Sequence, residues 1–287
     1  MADFVLFADS ACDLPQELAA RLNIRILPLT FVFEGEETIH EDHSVPSAEF
    51  YAKLRGGSMV RTSGVNMQRF MDAFEPELAA GRDVLYIGFS SALSVTTSAA
   101  RMAAQELSSA YPERKALVVD SLSASAGYGL LLRMVCDRIA AGASLEEAAE
   151  YAEKLKMRIC HWFTVDDLNM LQRGGRISAA VAFVGGLLGI KPILHMDDSG
   201  HLVYVGKVRG RKAALRAICD KYGELCADPS APVFLCQADC VEDAETVQRM
   251  LQETYKISAE QITEVGSVIG AHTGGGAVSV FFVGKHR

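Results

Sequence analysis

The sequence predicts an α/β protein of two domains, an N-terminal α/β domain with a parallel sheet and a C-terminal α+β domain with a mixed sheet. In the first half of the chain, short apolar runs alternate with longer amphipathic segments, which is typical of βαβ units. These apolar runs lack polar alternation, as expected for strands buried on both faces. Near residue 158 the regular alternation of strand-like and helix-like segments ends. Beyond it, strand-like segments joined by turns indicate antiparallel pairing. We therefore predict domains at 1–158 and 159–287.

The elements of the first domain follow from apolar runs, caps and breaks in the sequence. Asp13 precedes Pro15 and is expected to cap the first helix. Ser63 or Asn66, and later Ser144, are candidate caps of further helices. The acidic, irregular stretch 34–46 is expected to be an exposed loop excursion from the domain. The predicted strands are 4–8, 26–33, 84–89 and 116–119, and the predicted helices are 13–22, 47–54, 67–80, 93–111, 124–141 and 145–157.

The second domain mixes strands and helices without regular alternation. The turn at 197–200 separates two strand-like segments and predicts a hairpin. The predicted strands are 159–165, 191–196, 201–208, 233–238, 264–269 and 278–283, and the predicted helices are 211–226 and 241–255.

Composition limits the classes of protein that this chain fits. Of its 287 residues, 49% are hydrophobic and 22% are charged, as in a globular protein with a full core. The net charge of −8 argues against a nucleic-acid binder that works by charge attraction. The seven cysteines include no Cys-x-x-Cys pair, which favours free thiols in a reducing compartment.

Targeting and cofactor signals are weak. The N-terminus has no basic region before its short apolar run, and the longest apolar stretch, 179–190, is shorter than a membrane span. A cytoplasmic protein without stable membrane insertion is therefore expected. The chain has no Walker A sequence and no Gly-x-Gly-x-x-Gly after its first strand, so no nucleotide cofactor is expected.

The most informative segment is the turn that carries Ser90, Ser91 and Ser94, between a predicted strand and a long Ala-rich helix. Unpaired N–H groups and the positive end of a helix favour an anion at such a place. Helix capping and turn chemistry are the alternative explanation of these serines. Two further strands end in Asp9-Ser10 and Asp120-Ser121, so small polar residues gather at one edge of the predicted sheet, where ligands bind in parallel sheets.

Three other segments carry polar chemistry. Arg61-Thr62-Ser63-Gly64 precedes a helix, and the Gly-rich 270–276 loop carries His272 between two predicted strands. Two basic segments, 171–177 and 207–212, offer guanidinium groups to an anionic ligand or partner. The alternative explanation of 61–64 is helix capping, and that of 270–276 is a flexible connection. The alternative explanation of the two basic segments is a solvated basic surface.

Two catalytic or metal hypotheses stay open beside a binding function. The run 40–43, His-Glu-Asp-His, offers metal-ligating side chains in a polar loop. Ser90 or Ser94 with His272 and an Asp offers the parts of a hydrolase triad, although no Gly-x-Ser-x-Gly elbow is present.

These segments, in this order, resemble the DegV family of bacterial lipid-binding proteins, which includes the fatty-acid-binding subunits of fatty-acid kinase. The resemblance covers essentially the whole chain. It is carried by Ala8–Leu14, Thr62-Ser63, Ser90–Ser94, Val119–Ser121, Leu171–Ile177, Lys207–Gly210 and His272-Thr273-Gly274. The chain departs from the family pattern at Gly64-Val65, at Val95-Thr96-Thr97 and at Gly275.

The resemblance implies two α/β domains with a long-chain fatty acid in a tunnel between them. It also implies that the protein presents the fatty-acid carboxylate to a separate ATP-dependent kinase and is not itself an enzyme. The alternatives are a stand-alone hydrolase or phosphotransferase that uses Ser94 and His272, and a purely structural interaction protein. Carried over to this sequence, the ligand-binding residues are Thr62, Ser63, Ser91, Ser94, Arg176, Arg209, His272 and Thr273.

The apolar tunnel walls are expected to come from both halves of the chain. The segment 179–190 is apolar almost all round and suits such a wall. The candidate wall residues are Phe163, Leu168, Val181, Phe183, Val184, Leu187, Leu188, Ile190 and Ile193.

Overall fold

The computed structural model describes residues 4–177 and 189–287. Within these residues it is a mixed α/β structure with a four-stranded, a three-stranded and a six-stranded sheet. The predicted fold class is therefore confirmed: the four-stranded sheet is parallel and belongs to the N-terminal half, and the six-stranded sheet is mixed and belongs to the C-terminal half.

The first half supplies seven strands and six helices to the described structure. Short 3-10 turns follow the first strand, at Ser10–Cys12, and the last helix, at Lys156–Arg158. The elements are β1 (Phe4–Asp9), α1 (Gln16–Arg21), β2 (Ile24–Leu27), β3 (Thr30–Phe33), β4 (His40–Glu41), α2 (Ser47–Arg55), β5 (Val60–Ser63), α3 (Met67–Ala79), β6 (Asp83–Gly88), α4 (Thr96–Ala110), β7 (Ala116–Asp120), α5 (Ser125–Ala140) and α6 (Leu145–Leu155).

The second half follows from Ile159 onward. Its elements among the described residues are β8 (Ile159–Thr164), α7 (Asn169–Arg173), β9 (Ile190–Met196), β10 (Leu202–Arg209), α8 (Arg211–Leu225), β11 (Phe234–Gln237), α9 (Val241–Tyr255), β12 (Gln261–Glu264), α10 (Ser267–Thr273) and β13 (Val278–Val283).

The parallel sheet has the strand order β2-β1-β6-β7. The strands β1 and β6 are buried almost throughout, which explains why their sequences lack polar alternation. Because the strands are parallel, β1, β6 and β7 end at the same edge, and this edge carries the three polar turns found in the sequence. The Asp9 carboxylate at the end of β1 accepts the Phe89 N–H from the end of β6 at 2.9 Å.

The mixed sheet has the order β10-β9-β8-β13-β11-β12 and lies entirely after residue 158. The hairpin of β9 and β10 is antiparallel, as the turn at 197–200 predicts. The division into 1–158 and 159–287 remains a prediction that coincides with the division between the sheets.

Helix α5 connects the two halves. On one side, the Tyr128 hydroxyl accepts the Asp9 N–H at 3.1 Å and donates to the Ile87 carbonyl of the parallel sheet. On the other side, α5 packs on β8, β11 and β13 of the mixed sheet. A Cβ added at Gly127 would lie 2.3 Å from Nε2 of His161, so the helix backbone lies directly against that sheet. The space beyond the N-terminus of α5 is thus enclosed by both halves.

Two of the predicted strands are wrong in ways that bear on the site. The strand predicted at 26–33 is two strands: β2 pairs with β1, whereas β3 pairs with β4 and β5 in the three-stranded sheet. Pro28 lies between them and cannot donate to a strand ladder. The register of β3 and β5 places Thr62 opposite Phe31, and this small sheet therefore positions Thr62.

The strand predicted at 264–269 is also wrong. The segment instead contains the end of β12, at Glu264, and the start of helix α10, at Ser267. Two buried carboxylates from the N-terminal half accept the N–H groups of Gly266 and Val268, each at 3.0 Å, and these bonds fix the first turn of the helix. As a result, His272 lies in the last turn of a helix rather than in a flexible loop.

The predicted caps give a mixed result. Asn66 caps α3 by accepting the Arg69 N–H at 3.0 Å, and Ser144 forms a capping box with Glu147. The prediction that Asp13 caps α1 is wrong: Pro15 occupies that position, and Asp13 is buried with a left-handed backbone (φ 48°). The excursion at 34–46 is only partly exposed, since it contains β4 and the buried Asp42.

Helix α4 begins at Thr96, three residues later than predicted.

Among residues 4–177 and 189–287, no helix combines the length and the apolar character needed to cross a bilayer.

Candidate functional site

A cavity of about 630 Å³ lies between the two halves. Its volume falls in the range of roughly 300–1,000 Å³ that is typical of ligand sites. Among the described lining residues there is no Asp and no Glu. The lining contains Leu29, Thr62, Ser63, Gly64, Phe89, Ser91, Ala92, Leu93, Ser94, Val95, Ala124 and Ser125 from the first half, and His161, Phe163, Leu171, Arg176, Met196, Leu202, Cys236, Val265, Val268, Ile269, His272, Thr273, Ala277, Ser279 and Phe281 from the second.

One wall of the cavity is a face of the mixed sheet. His161 and Phe163 alternate along β8, and their cross-strand partners on β13 are Phe281 and Ser279. Side chains at directly opposed positions lie on the same face of a sheet. The partner of Ser279 on the next strand is Cys236, so three neighbouring strands share this wall.

Thr62 and His272 meet at the polar part of the cavity. Thr62 lies on β5 and His272 lies on α10, and the distance between Thr62 Oγ1 and His272 Nε2 is 2.9 Å. Burial, helped by the nearby charge of Arg176, lowers the pKa of His272 from 6.5 to about 4. The imidazole is therefore neutral at pH 7, and one of its two nitrogens carries a proton.

The turn after β6 brings Ser94 to the same cavity. Its hydroxyl lies 2.8 Å from that of Thr96 and accepts the Thr96 N–H at 3.3 Å. The expectation of free backbone N–H donors at this turn is largely wrong. The N–H of Ser91 donates to Asp120 and that of Ser94 donates to the Ser90 carbonyl, so those donors are already used. An anion at this turn is therefore met mainly by side-chain donors.

Arg176 supplies the positive charge of the site. Its Nε donates to the Leu93 carbonyl at 3.2 Å, and another guanidinium nitrogen donates to the Gly174 carbonyl. Burial lowers the pKa of Arg176 from its ordinary value, but an arginine remains charged at neutral pH. Among the described residues, no carboxylate forms an ion pair with it.

Two glycines allow these side chains to approach one another. A Cβ added at Gly64 would lie 2.5 Å from Thr96 Oγ1 and 3.2 Å from Ser94 Oγ, so the chain that carries Thr62 runs directly against the Ser94 turn. A Cβ added at Gly174 would lie 2.3 Å from His272 Nδ1. We call Thr62, Ser94, Arg176 and His272 the donor cluster, because all four line the cavity and each carries an O–H or N–H group.

The remaining predicted residues are placed as follows. Ser63, Ser91 and Thr273 line the same cavity, whereas Arg209 is exposed at the end of β10 and is not among the described lining residues. Of the predicted wall residues, Phe163 lines the cavity, and Leu168, Ile190 and Ile193 are not in the described lining. The others lie outside the described residues: Val181, Phe183, Val184, Leu187 and Leu188.

A second polar cluster, which the sequence did not predict, lies at the other end of α10. The Asp13 carboxylate accepts the Gly266 N–H at 3.0 Å and the Ser125 hydroxyl. The Asp42 carboxylate accepts the Ser10 hydroxyl at 2.8 Å and the Val268 N–H at 3.0 Å. We call these two carboxylates with their partners the acid cluster. Burial raises the pKa of the Asp13 carboxyl above its usual range, and the charge of His43, 3.6 Å away, opposes this effect.

The metal and triad hypotheses find no support in the geometry. Within the described ranges, no group of three or more His, Cys, Asp or Glu side chains is arranged to hold a metal ion. His272 forms a hydrogen bond with Thr62 rather than with a serine. No carboxylate of residues 4–177 or 189–287 forms an ion pair with His272.

The fold and the site define a class of protein: two α/β halves that enclose a mostly apolar cavity with donor groups at one place. The family model described as "Uncharacterised protein, DegV family" matches residues 3–285. The chain therefore belongs to the DegV family.

Individual relatives match over the full length. The DegV domain-containing protein CPE0026 of Clostridium perfringens is 41% identical, with 100% of this chain and 99% of the relative covered. A solved DegV family protein from Thermus thermophilus, described by its fatty-acid binding, has a TM-score of 0.85 at 29% identity and covers 98% of this chain and 99% of its own. DegV of Bacillus subtilis, described as a fatty acid binding protein, has a TM-score of 0.84 at 29% identity, with 99% and 100% covered.

Proposed function

We propose that this protein binds a long-chain fatty acid in the cavity between its halves, with the carboxylate held by the donor cluster. The observation that carries the proposal is the composition of the lining. It is mostly apolar, it gathers hydroxyl, imidazole and guanidinium groups near one another, and its described residues include no acid. The solved relatives named above support the same ligand class.

The energetics favour an amphiphilic ligand. Burial of a methylene group contributes about 0.8 kcal/mol, so a sixteen-carbon chain gains on the order of 10 kcal/mol before ordering costs. A carboxylate buried without partners is very costly. Hydroxyl donors from Thr62 and Ser94 offset that cost, since hydrogen bonds to a charged group are worth about 1.5–3 kcal/mol each. The charge of Arg176 near the same place adds to this attraction.

We further propose that the bound carboxylate is presented to a separate ATP-dependent kinase, which forms an acyl-phosphate. Support for a binding role without catalysis comes from three features of the described residues: the low pKa of about 4 makes His272 a weak base, no carboxylate orients its imidazole, and no general base is paired with Ser94. The protein then needs a partner for chemistry. ATP alone is expected to give no acyl-hydroxamate when hydroxylamine is added to the purified, fatty-acid-loaded protein. Formation of hydroxamate without a second protein contradicts this part of the proposal.

The ligand class is tested by mass spectrometry of an organic extract. The purified protein is denatured and extracted, and the fatty acid recovered per mole of protein is measured. We expect close to one equivalent from the unaltered chain and much less from the double variant Thr62→Ala, Ser94→Ala purified in parallel. An extract free of fatty acid, together with no binding of added palmitate in a titration, overturns the proposal.

A further inference from the structure

We infer that Thr96, which does not line the cavity, is a positioning residue that turns the Ser94 hydroxyl into a hydrogen-bond donor towards the ligand. The inference rests on the proposed function and deepens it, because it assigns a direction to one of the bonds that would hold the carboxylate. Thr96 is the first residue of α4 and is fully buried. Within the described residues, its hydroxyl is linked to the cavity by its hydrogen bond to Ser94.

The contacts between these two residues are specific. Thr96 Oγ1 lies 2.8 Å from Ser94 Oγ, and the Thr96 N–H donates to the same Ser94 oxygen at 3.3 Å. A serine hydroxyl has one proton and two acceptor lone pairs. The backbone N–H therefore occupies one lone pair, and the direction of the bond between the two hydroxyls decides what happens to the Ser94 proton.

Hydrogen-bond accounting fixes that direction. Within the described residues, Ser94 Oγ is the one acceptor within bonding distance of Thr96 Oγ1. On its other side, Thr96 Oγ1 packs against the backbone of Gly64, where an added Cβ would lie only 2.5 Å away. If Ser94 donated to Thr96, the Thr96 proton would be buried without a partner, which is unfavourable. Thr96 therefore donates to Ser94.

This direction leaves the Ser94 proton free for the cavity. Both lone pairs of the Ser94 oxygen are occupied, one by the Thr96 N–H and one by the Thr96 hydroxyl. Two bonds donated to one oxygen also polarise its own O–H group and strengthen the bond that it donates. Ser94 becomes an oriented donor that suits a carboxylate, whose oxygens only accept. An arrangement of this kind gains more from an ionised head group than from a neutral one.

The test compares Thr96→Val with Thr96→Ser, alone and combined with Ser94→Ala. Binding of myristate and of tetradecan-1-ol is measured by displacement of a fluorescent fatty acid from the full-length protein. We expect Thr96→Val to weaken myristate binding by about 5- to 10-fold, which corresponds to one lost hydrogen bond of about 1 kcal/mol. Thr96→Ser should bind within about twofold of the unaltered chain, and tetradecan-1-ol should respond less than myristate.

The double variants separate positioning from a general structural role. In the Ser94→Ala background, Thr96→Val should cause no further loss of myristate binding, because the hydroxyl that Thr96 orients is gone. An equal loss in both backgrounds overturns the inference, as does an equal loss for Thr96→Ser and Thr96→Val or an unchanged affinity for Thr96→Val. If Thr96→Val melts below the assay temperature, Thr96→Ala replaces it with the same expectations. A failure of the unaltered chain to bind myristate contradicts the proposed function instead.

Discussion

The two ends of helix α10 carry polar clusters of opposite character. At its N-terminus, the acid cluster contains two carboxyl groups whose four oxygens each accept a hydrogen bond, with donors on Ser10, Ser125, Gly266 and Val268. Near its C-terminus, the donor cluster contains hydroxyl, imidazole and guanidinium groups, and no described carboxylate lines the cavity there. One cluster is complete within the chain, whereas the other offers donors to an anion that the chain does not provide.

The difference separates a structural polar network from a binding site. A buried carboxylate with all its partners present holds two segments together, and here it ties α10 to the N-terminal half. A group of donors beside an apolar cavity instead matches a ligand with an apolar chain and an anionic head. Changes in the acid cluster should therefore alter folding, and changes in the donor cluster should alter binding.

The largest effect is expected from the double variant Thr62→Ala, Ser94→Ala. Two hydrogen bonds to a carboxylate are worth about 1.5–3 kcal/mol each, so palmitate binding should weaken by roughly 100-fold or more in a calorimetric titration. The double variant Ser108→Ala, Thr246→Ala is a matched control, since it removes an exposed and a half-buried helical hydroxyl outside the cavity that each donate to a carbonyl of their own helix. Unchanged palmitate affinity in the first variant contradicts the assignment of the head-group site.

A loss of stability rather than of binding is expected from Asp42→Ala. The change leaves the Ser10 hydroxyl and the Val268 N–H without their acceptor in a buried place. Each unsatisfied group costs about 1–3 kcal/mol, so the free energy of unfolding in urea should fall by about 2 kcal/mol or more. The exposed carboxylate of Asp72 accepts a hydrogen bond from the Gln68 side chain, and Asp72→Ala is the control. Equal stability of the two variants would show that the acid cluster does not hold α10.

Gly174→Ala should weaken binding although it removes no hydrogen-bonding side chain. The added Cβ would lie 2.3 Å from His272 Nδ1, so the imidazole must move away from Thr62. We expect palmitate affinity to drop by about tenfold, the equivalent of one hydrogen bond of roughly 1.4 kcal/mol. Gly206→Ala is the control, because nothing lies within 4 Å of its added Cβ. If both variants bind alike, the position of the imidazole does not matter to the ligand.

A further effect concerns how the free energy of unfolding without ligand depends on pH. Burial and the charge of Arg176 lower the pKa of His272 to about 4, whereas the unfolded chain has the ordinary value of 6.5. Between pH 6.5 and 4 the unfolded chain binds a proton that the folded chain does not, so the free energy of unfolding decreases as the pH falls. His272→Gln should make this decrease shallower in urea titrations. A bound fatty acid should raise the pKa of His272 in NMR titrations, because a nearby carboxylate favours imidazolium. An unchanged slope in His272→Gln, or a His272 that titrates at 6.5, contradicts the buried environment.

Much of the fold was predictable because it rests on local patterns. The strands β1, β6, β7 and β13 are continuous apolar runs, and Ser144 with Glu147 carries the signature of a capping box. The wrong predictions concern segments whose structure depends on residues far away in the sequence. The segment 264–269 is rich in β-branched residues, and it becomes helical where Asp13 and Asp42 bind its backbone from more than 200 positions away.

The site, too, was predictable from residue types but not from contacts between distant segments. The hydroxyls and His272 stood out by residue type and order, and a family resemblance linked them. Thr96, Gly64 and Gly174 did not stand out, because their roles depend on contacts between segments far apart in the sequence.

The central claim is that the donor cluster holds the carboxylate of a fatty acid whose chain fills the cavity. A crystal structure of the protein with palmitate tests it most directly. We predict carboxylate oxygens within about 3 Å of the hydroxyls of Thr62 and Ser94, as in charge-assisted hydrogen bonds. A carboxylate located beside Ser125 and Cys236 at the far wall, or outside the cavity, would contradict the account.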